Sequence, residues 1–287
     1  MILKGVFTME KQIYRFNNDI ETLEVGSIGA KIIVRTHEKD EFYAEYSNPK
    51  DTPEFCAVLS GTTLTFKEKM AFTIFAPKPS EDYTITVYAP QKKLGKLRIN
   101  TASGGVDIAE VTANEFELNT ASGNIEINAF FDNVKLQSAS GSITLTNPTT
   151  ETAANVKVCS VSGTAIINGY KAQEFSLHSV SGKTEFNGAS GCGKIAVTSG
   201  NIFINYAEWN NDLSISAISG NVNVTLPENA GIEVNFDGVS GNLRTDLGAT
   251  KGQFMNLGKG TTGKFGGENA HKLNISLTSG NVTVAQQ

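Results

Sequence analysis

Cysteine, histidine, tryptophan and proline are all scarce in this chain of 287 residues, which holds three, three, one and seven of them. Cys56, Cys159 and Cys192 are odd in number and widely separated, so neither a disulfide framework nor a thiolate metal site is expected. His37, His178 and His271 offer no zinc-ligand spacing. No metal and no cofactor are therefore expected. Lys and Arg total 24 against 29 Asp and Glu, for a net charge of −5, and no basic cluster supplies a nucleic-acid footprint. No apolar run approaches the roughly 18–20 residues that span a bilayer, so no transmembrane segment is expected. The opening MILKGVFTMEKQIYRF has only short apolar patches, unlike a secretory signal, and the closing NVTVAQQ carries no anchor. A cytoplasmic location is expected on those grounds. The cell surface is the alternative if the chain is trimmed or exported by another route.

Glycine is abundant, at 28 residues, and it recurs with a period. Ser-Gly pairs place Gly104, Gly123, Gly141, Gly163, Gly182, Gly200, Gly220 and Gly241 at intervals of 18 to 22 residues. Gly280 follows after 39, a gap that two periods with one degenerate copy would fill. The flanks show that the repeat is physical. Positions 7, 5, 3 and 1 before each glycine and 2 and 4 after it make 54 sites, and none is charged, although an 18% charge content predicts about ten. The alternate 36 positions hold 11 charges and 10 asparagines. Alternation with period two describes strands with one buried face.

Each copy thus reads as strand, turn, strand, with the glycine in the left-handed region at a corner. Asn124, Asn201, Asn221, Asn242 and Asn281, each just after a glycine, also suit a turn. The serine before each glycine is expected to face inward and satisfy turn amides. Such strands cannot bury their inner faces alone, and stacking the copies at ~4.8 Å gives a continuous core. The expected fold is all-β, a parallel β-solenoid of 19–20-residue coils, right-handed by the rule for parallel crossovers. An antiparallel sandwich also has evenly spaced strands, but it has no reason to repeat residue types at fixed offsets.

Residues 1–96 read as an elaborated β-rich N-terminal cap and 97–287 as the repeats, in one continuous domain or two. The first part holds 12 of the 24 aromatic and 26 of the 53 charged residues. Strands are expected at 31–35, 41–47, 62–67 and 83–89, with residues 23–34 forming a divergent first copy. The junction is expected at 90–95. The apolar run 70–76 reads as a buried cap strand, followed by an exposed loop at Glu81 and Asp82.

The repeated Thr/Val-x-Ser-Gly-Asn/x-Ile/Val-x-Ile/Val units, following an aromatic-rich segment that ends in Tyr88-Ala89-Pro90, resemble the bacterial putative adhesin family. That is a domain family of unknown function made of parallel β-coils, and the resemblance runs from about residue 20 to the end. It implies a β-helical fold and a surface-adhesion role, and it carries over no site residues.

Catalytic patterns are few. Gly258-Lys-Gly-Thr-Thr-Gly-Lys264 has the spacing of a phosphate loop, but Phe265 stands where the metal-binding Ser or Thr belongs. It reads as a turn in the degenerate copy. Asp107 and Glu126 share one offset in adjacent copies and would stack about 5 Å apart, the only candidate pair for polysaccharide chemistry. No cation accompanies them in the repeat, and a solvated face is the plainer reading. No catalytic residues are assigned. The expected function is a non-catalytic binding or scaffold protein, adhesin-like, for a glycan or protein surface. The alternatives are a filament-forming solenoid with uncapped ends and, third, a polysaccharide-active enzyme.

Overall fold

The computed structural model describes residues 10–17, 19–48, 55–68, 83–248, 252–268 and 270–287. The apolar run 70–76 and the loop at Glu81 and Asp82 lie outside the described residues. Among the described residues nine strands come first: β1 (Glu10–Asn17), β2 (Thr22–Ser27), β3 (Lys31–His37), β4 (Glu41–Asn48), β5 (Phe55–Ser60), β6 (Thr63–Glu68), β7 (Thr84–Pro90), β8 (Leu94–Thr101) and β9 (Val106–Ala109). Twelve more follow, beginning with β10 (Ala113–Thr120), β11 (Asn124–Asn128), β12 (Phe131–Ser138) and β13 (Ser142–Thr146). They end with β20 (Leu213–Ala217) and β21 (Asn221–Leu226). Six close the chain: β22 (Gly231–Gly238), β23 (Asn242–Thr245), β24 (Met255–Leu257), β25 (Thr262–Gly266), β26 (Ala270–Leu277) and β27 (Asn281–Gln286).

From β8 to β21 each coil contributes one strand to each of two sheets, which hold 14 and 13 strands. At ~4.8 Å per strand the 14-stranded sheet is roughly 60 Å long. Pairing between coils is parallel and in register: β11 meets β13 with Ile125 opposite Ile143 and Ile127 opposite Leu145. The fold is an all-β parallel solenoid with two strands per coil. Inward side chains of both sheets fill the interior, including Phe116 stacked on Phe131 at 4.3 Å and Phe175 edge-on to Phe186 at 5.2 Å.

Three expectations change. First, the nine corner glycines do not share a left-handed backbone; only Gly123 has a positive φ, 136°. Glycine is needed for close approach instead. A Cβ on Gly141 would lie 2.4 Å from the Gly123 carbonyl oxygen, and one on Gly163 would lie 2.1 Å from that of Gly141. The same oxygens accept the next coil's amides, as from Ser142 to Gly123 at 3.1 Å and from Thr164 to Gly141 at 3.0 Å.

Second, the serine before each glycine faces outward. The alternation slips across the two residues before the glycine, so it is the residue three before that points in: Thr101, Thr120, Ser138, Ser160 and Ser179 are buried. Thr101 Oγ1 accepts the Gly104 amide at 3.0 Å, the role expected of the serine. The outward serine bonds between coils. Ser140 Oγ donates to the Ala121 carbonyl at 3.1 Å, Ser162 to Ala139 at 3.0 Å and Ser219 to Thr198 at 3.1 Å.

Third, the order of coils in space is not their order in the chain. β2 and β3 lie between the β6–β7 coil and the β8–β9 coil. At the far end β26 and β27 insert between β20–β21 and β22–β23. Among the described residues no degenerate copy separates Gly241 from Gly280; a Cβ on Gly280 would strike the Gly220 carbonyl at 2.2 Å. The intervening residues include β24 and β25, which pair antiparallel with β23 and β22. At the first end β5 pairs antiparallel with β6, and β4 with β7, with β1 beyond it. Buried carboxylates complete both closures. Glu68 accepts the Ile28 amide at 2.8 Å and the Ser27 hydroxyl at 2.7 Å. Asp246 accepts the Gln286 amide at 2.9 Å and the Gly252 amide at 2.9 Å.

Candidate functional site

The outer faces carry ladders built by the coil spacing. Glu24, Arg98, Glu117 and Lys135 stand opposite one another in successive strands. Arg98 bonds Glu24 at 3.0 Å and Glu117 at 3.1 Å, and Lys135 bonds Glu117 at 2.8 Å. The Lys135 hydrogen bond, followed by that of Arg98, holds the Glu117 carboxyl down to about 2. On the other sheet the asparagines form an amide ladder, Asn221 to Asn201 at 3.0 Å, Asn281 to Asn221 at 3.0 Å and Asn242 to Asn281 at 3.2 Å. These asparagines open strands rather than occupy turns.

Asp107 and Glu126 are brought opposite each other, as their shared offset predicts. A cation does accompany them. β3 packs beside β9, and Arg35 donates to the Asp107 carboxylate at 2.7 Å and to the Asp107 carbonyl at 2.9 Å. Sequence spacing misses Arg35 because it lies 72 positions away. The pair sits over a concavity of about 250 Å³, with Thr144 continuing the row beyond Glu126. One carboxylate is thereby tied to a guanidinium and the other faces solvent.

The remaining sequence candidates stay apart. His178 is exposed, and His271 lies edge-on to Trp209 at 6.0 Å. Cys56, Cys159 and Cys192 are free thiols, and among the described residues no three His, Cys, Asp or Glu converge as metal ligands. Residues 262–266 of the glycine-rich segment are an extended edge strand, not a cradle leading into a helix. Among the described residues, no corner glycine lines the concavity at Asp107 and Glu126 or the three that follow.

Three concavities differ in chemistry. The largest, about 700 Å³, runs along the corner with Ala102, Ala121 and Ala139 below Asn100, Asn119 and Gln137, and none of its lining residues is charged. A second, about 460 Å³, is lined by serines and asparagines among Ile195, Ala196, Ile215 and Ile275, with Lys194 and Asp237. The third, about 330 Å³, combines aromatic faces with both signs of charge: Arg15, His37, Lys39, Glu41, Tyr43, Glu45 and Tyr88.

This third site grows from the closing strands at the first end. β4 alternates, burying Phe42, Ala44 and Tyr46 while turning Tyr43 and Glu45 outward; β7 buries Val87 and Ala89 and turns Tyr88 outward. Antiparallel pairing sets Tyr43 directly opposite Tyr88, with ring centroids 5.7 Å apart. β1 adds Arg15, whose guanidinium lies 4.7 Å from the Tyr43 ring centre and bonds Glu41 at 2.6 Å. His37 Nε2 meets the Glu41 carbonyl at 2.6 Å. The Tyr43 hydroxyl donates to Glu45, which raises its pKa above the ordinary tyrosine value. The sequence signal was present, an aromatic on the polar side of two alternating strands; the β4–β7 pairing that joins them was not.

Among the described residues, fold and surface together define a β-solenoid with a filled interior and with concavities on its outer faces. The chain belongs to the Toastrack DUF4097 family, whose model matches residues 20–285. A protein named "putative lipid binding protein" from Parabacteroides distasonis ATCC 8503 is similar in structure, at 15% identity and a TM-score of 0.60, over 96% of each chain. A "putative adhesin" from the same organism matches at 12% identity and a TM-score of 0.60, over 96% of this chain and 98% of that one. At such identities the likeness establishes the fold alone. No curated protein is significantly similar in sequence.

Proposed function

We propose that this protein is a non-catalytic binding scaffold, adhesin-like in the manner its structural relatives are named, which uses a rigid solenoid to present an outer surface to a ligand. The observation that carries this reading is the contrast between interior and exterior. The core is filled with side chains, and the two carboxylates buried at the ends are committed to backbone amides. A cluster of aromatic and charged groups that coil stacking does not require lies on the outside, at Tyr43 and Tyr88. The filament alternative is the weaker one, because antiparallel strands cover the outermost parallel coil at each end and remove its template for further stacking. Sedimentation velocity over a hundredfold concentration range tests the choice: a scaffold stays at one sedimentation coefficient, whereas a filament former shifts to fast species. An array of glycans and surface proteins then tests binding itself; silence across the array would remove the binding reading.

A further inference from the structure

We infer that the pocket at Tyr43, Tyr88 and Lys39 binds an acidic saccharide, a sugar ring bearing a carboxylate. The inference rests on the scaffold reading above and names the ligand class. The groups fall into two sets. Glu41 and Glu45 are held by Arg15 and by the Tyr43 hydroxyl, so the carboxylates of the site are committed within the protein. What remains is complementary to an anion. Lys39, in the exposed turn between β3 and β4, makes no ion pair or hydrogen bond among the described residues, and the Tyr88 hydroxyl is equally uncommitted. Arg15 spends one nitrogen on Glu41. His37 Nε2 is already engaged by the Glu41 carbonyl, so His37 adds a ring face beside Tyr88, with centroids 6.0 Å apart.

Aromatic walls and cations together select a ligand with an apolar face and a negative group. A tyrosine ring offers a flat surface to the C–H face of a pyranose, with a hydroxyl at its wet end. A lysine beside it gives a charge-assisted hydrogen bond to a carboxylate. A neutral sugar would leave the Lys39 ammonium unused, and a bare anion would leave the tyrosines unused. About 330 Å³ is room for one or two sugar units at an open surface, suiting a residue within a longer polymer. Lys39 is exposed, so salt screens its attraction for the carboxylate and binding weakens as ionic strength rises.

The test is isothermal titration calorimetry of the intact protein with oligogalacturonates and with the same oligomers methyl-esterified, which keep the rings and lose the charge. Saturable binding of the acid is expected, weakened about tenfold or more by esterification and by Lys39→Ala, since a hydrogen bond to a charged group carries that much. Tyr88→Ala should weaken it at least as far, and Lys39→Ala, in an exposed turn, keeps the assay readable if Tyr88→Ala fails to fold. Equal binding of acid and ester, indifference to Lys39→Ala, or no saturable binding of the acid would each overturn the assignment. Binding of any other array ligand in the same protein would show that only the ligand class had failed and the scaffold reading had not.

Discussion

Gly141 sits where a single methyl group decides whether two coils can approach. Replacing a glycine by alanine ordinarily stabilises by up to ~1 kcal/mol, because the unfolded chain loses freedom. At Gly141 the new Cβ would lie 2.4 Å from the Gly123 carbonyl oxygen and 2.9 Å from its nitrogen, backbone atoms that cannot move without opening the ladder. Overpacking of this kind costs ~1–3 kcal/mol, and overcomes the entropic gain. Gly258 is the control: it has no positive φ, and a Cβ there meets nothing within 4 Å. Gly141→Ala should lower the urea midpoint, whereas Gly258→Ala should hold or raise it. Equal responses would mean that the glycine column is not a close contact. Two buried tyrosines form a second contrast. Tyr170 donates to the Ala129 carbonyl at 2.5 Å, whereas the Tyr206 hydroxyl is buried with no partner. Tyr170→Phe should cost about 1 kcal/mol, while Tyr206→Phe should be neutral or stabilising, because it removes an unpaired polar group. Thermal melts of the two variants check the difference.

Charged and amide ladders are properties of elements, since each rung needs its neighbour strand in register. Glu117, flanked by Arg98 and Lys135, has a folded-state pKa of about 2 against an ordinary 4.5. Its stabilisation is complete above pH 4.5 and is lost as the pH falls through about 2. Glu117→Gln should therefore flatten the acid limb of the stability curve between those values and leave its shape above pH 5 unchanged. An acid limb identical to that of the native protein would remove Glu117 from this role. The sequence makes such elements legible in part. Inward positions such as Leu118, Ile125 and Ile127 follow from period two alone. The slip at the corner does not, because serine is compatible with either face, and only the backbone path turns Ser122 outward and Thr120 inward. The Arg35–Asp107 pair and the Tyr43–Tyr88 pair are invisible for another reason: each depends on which distant strand lies alongside.

That limit is sharpest for the whole molecule. Each coil offers its neighbours nearly the same pattern, so the sequence says that coils stack but not in which order. The Gly280 coil can lie on the Gly220 coil as readily as one that precedes it, and here it does. Placing the terminal coils one step inside leaves β4, β5, β24 and β25 to cover the outer ones, and the first of these closures also builds the Tyr43–Tyr88 site. Closure and the proposed binding surface are thus one feature of the fold. The central claim is that the solenoid's outer surface holds a ligand without transforming it. The direct measurement is to incubate the protein with a panel of plant and bacterial polysaccharides and quantify newly released reducing ends. The account predicts none, from the native protein or from the Asp107→Asn, Glu126→Gln double variant. Release by the native protein that disappears in the double variant would contradict it and make the carboxylate pair a catalytic site.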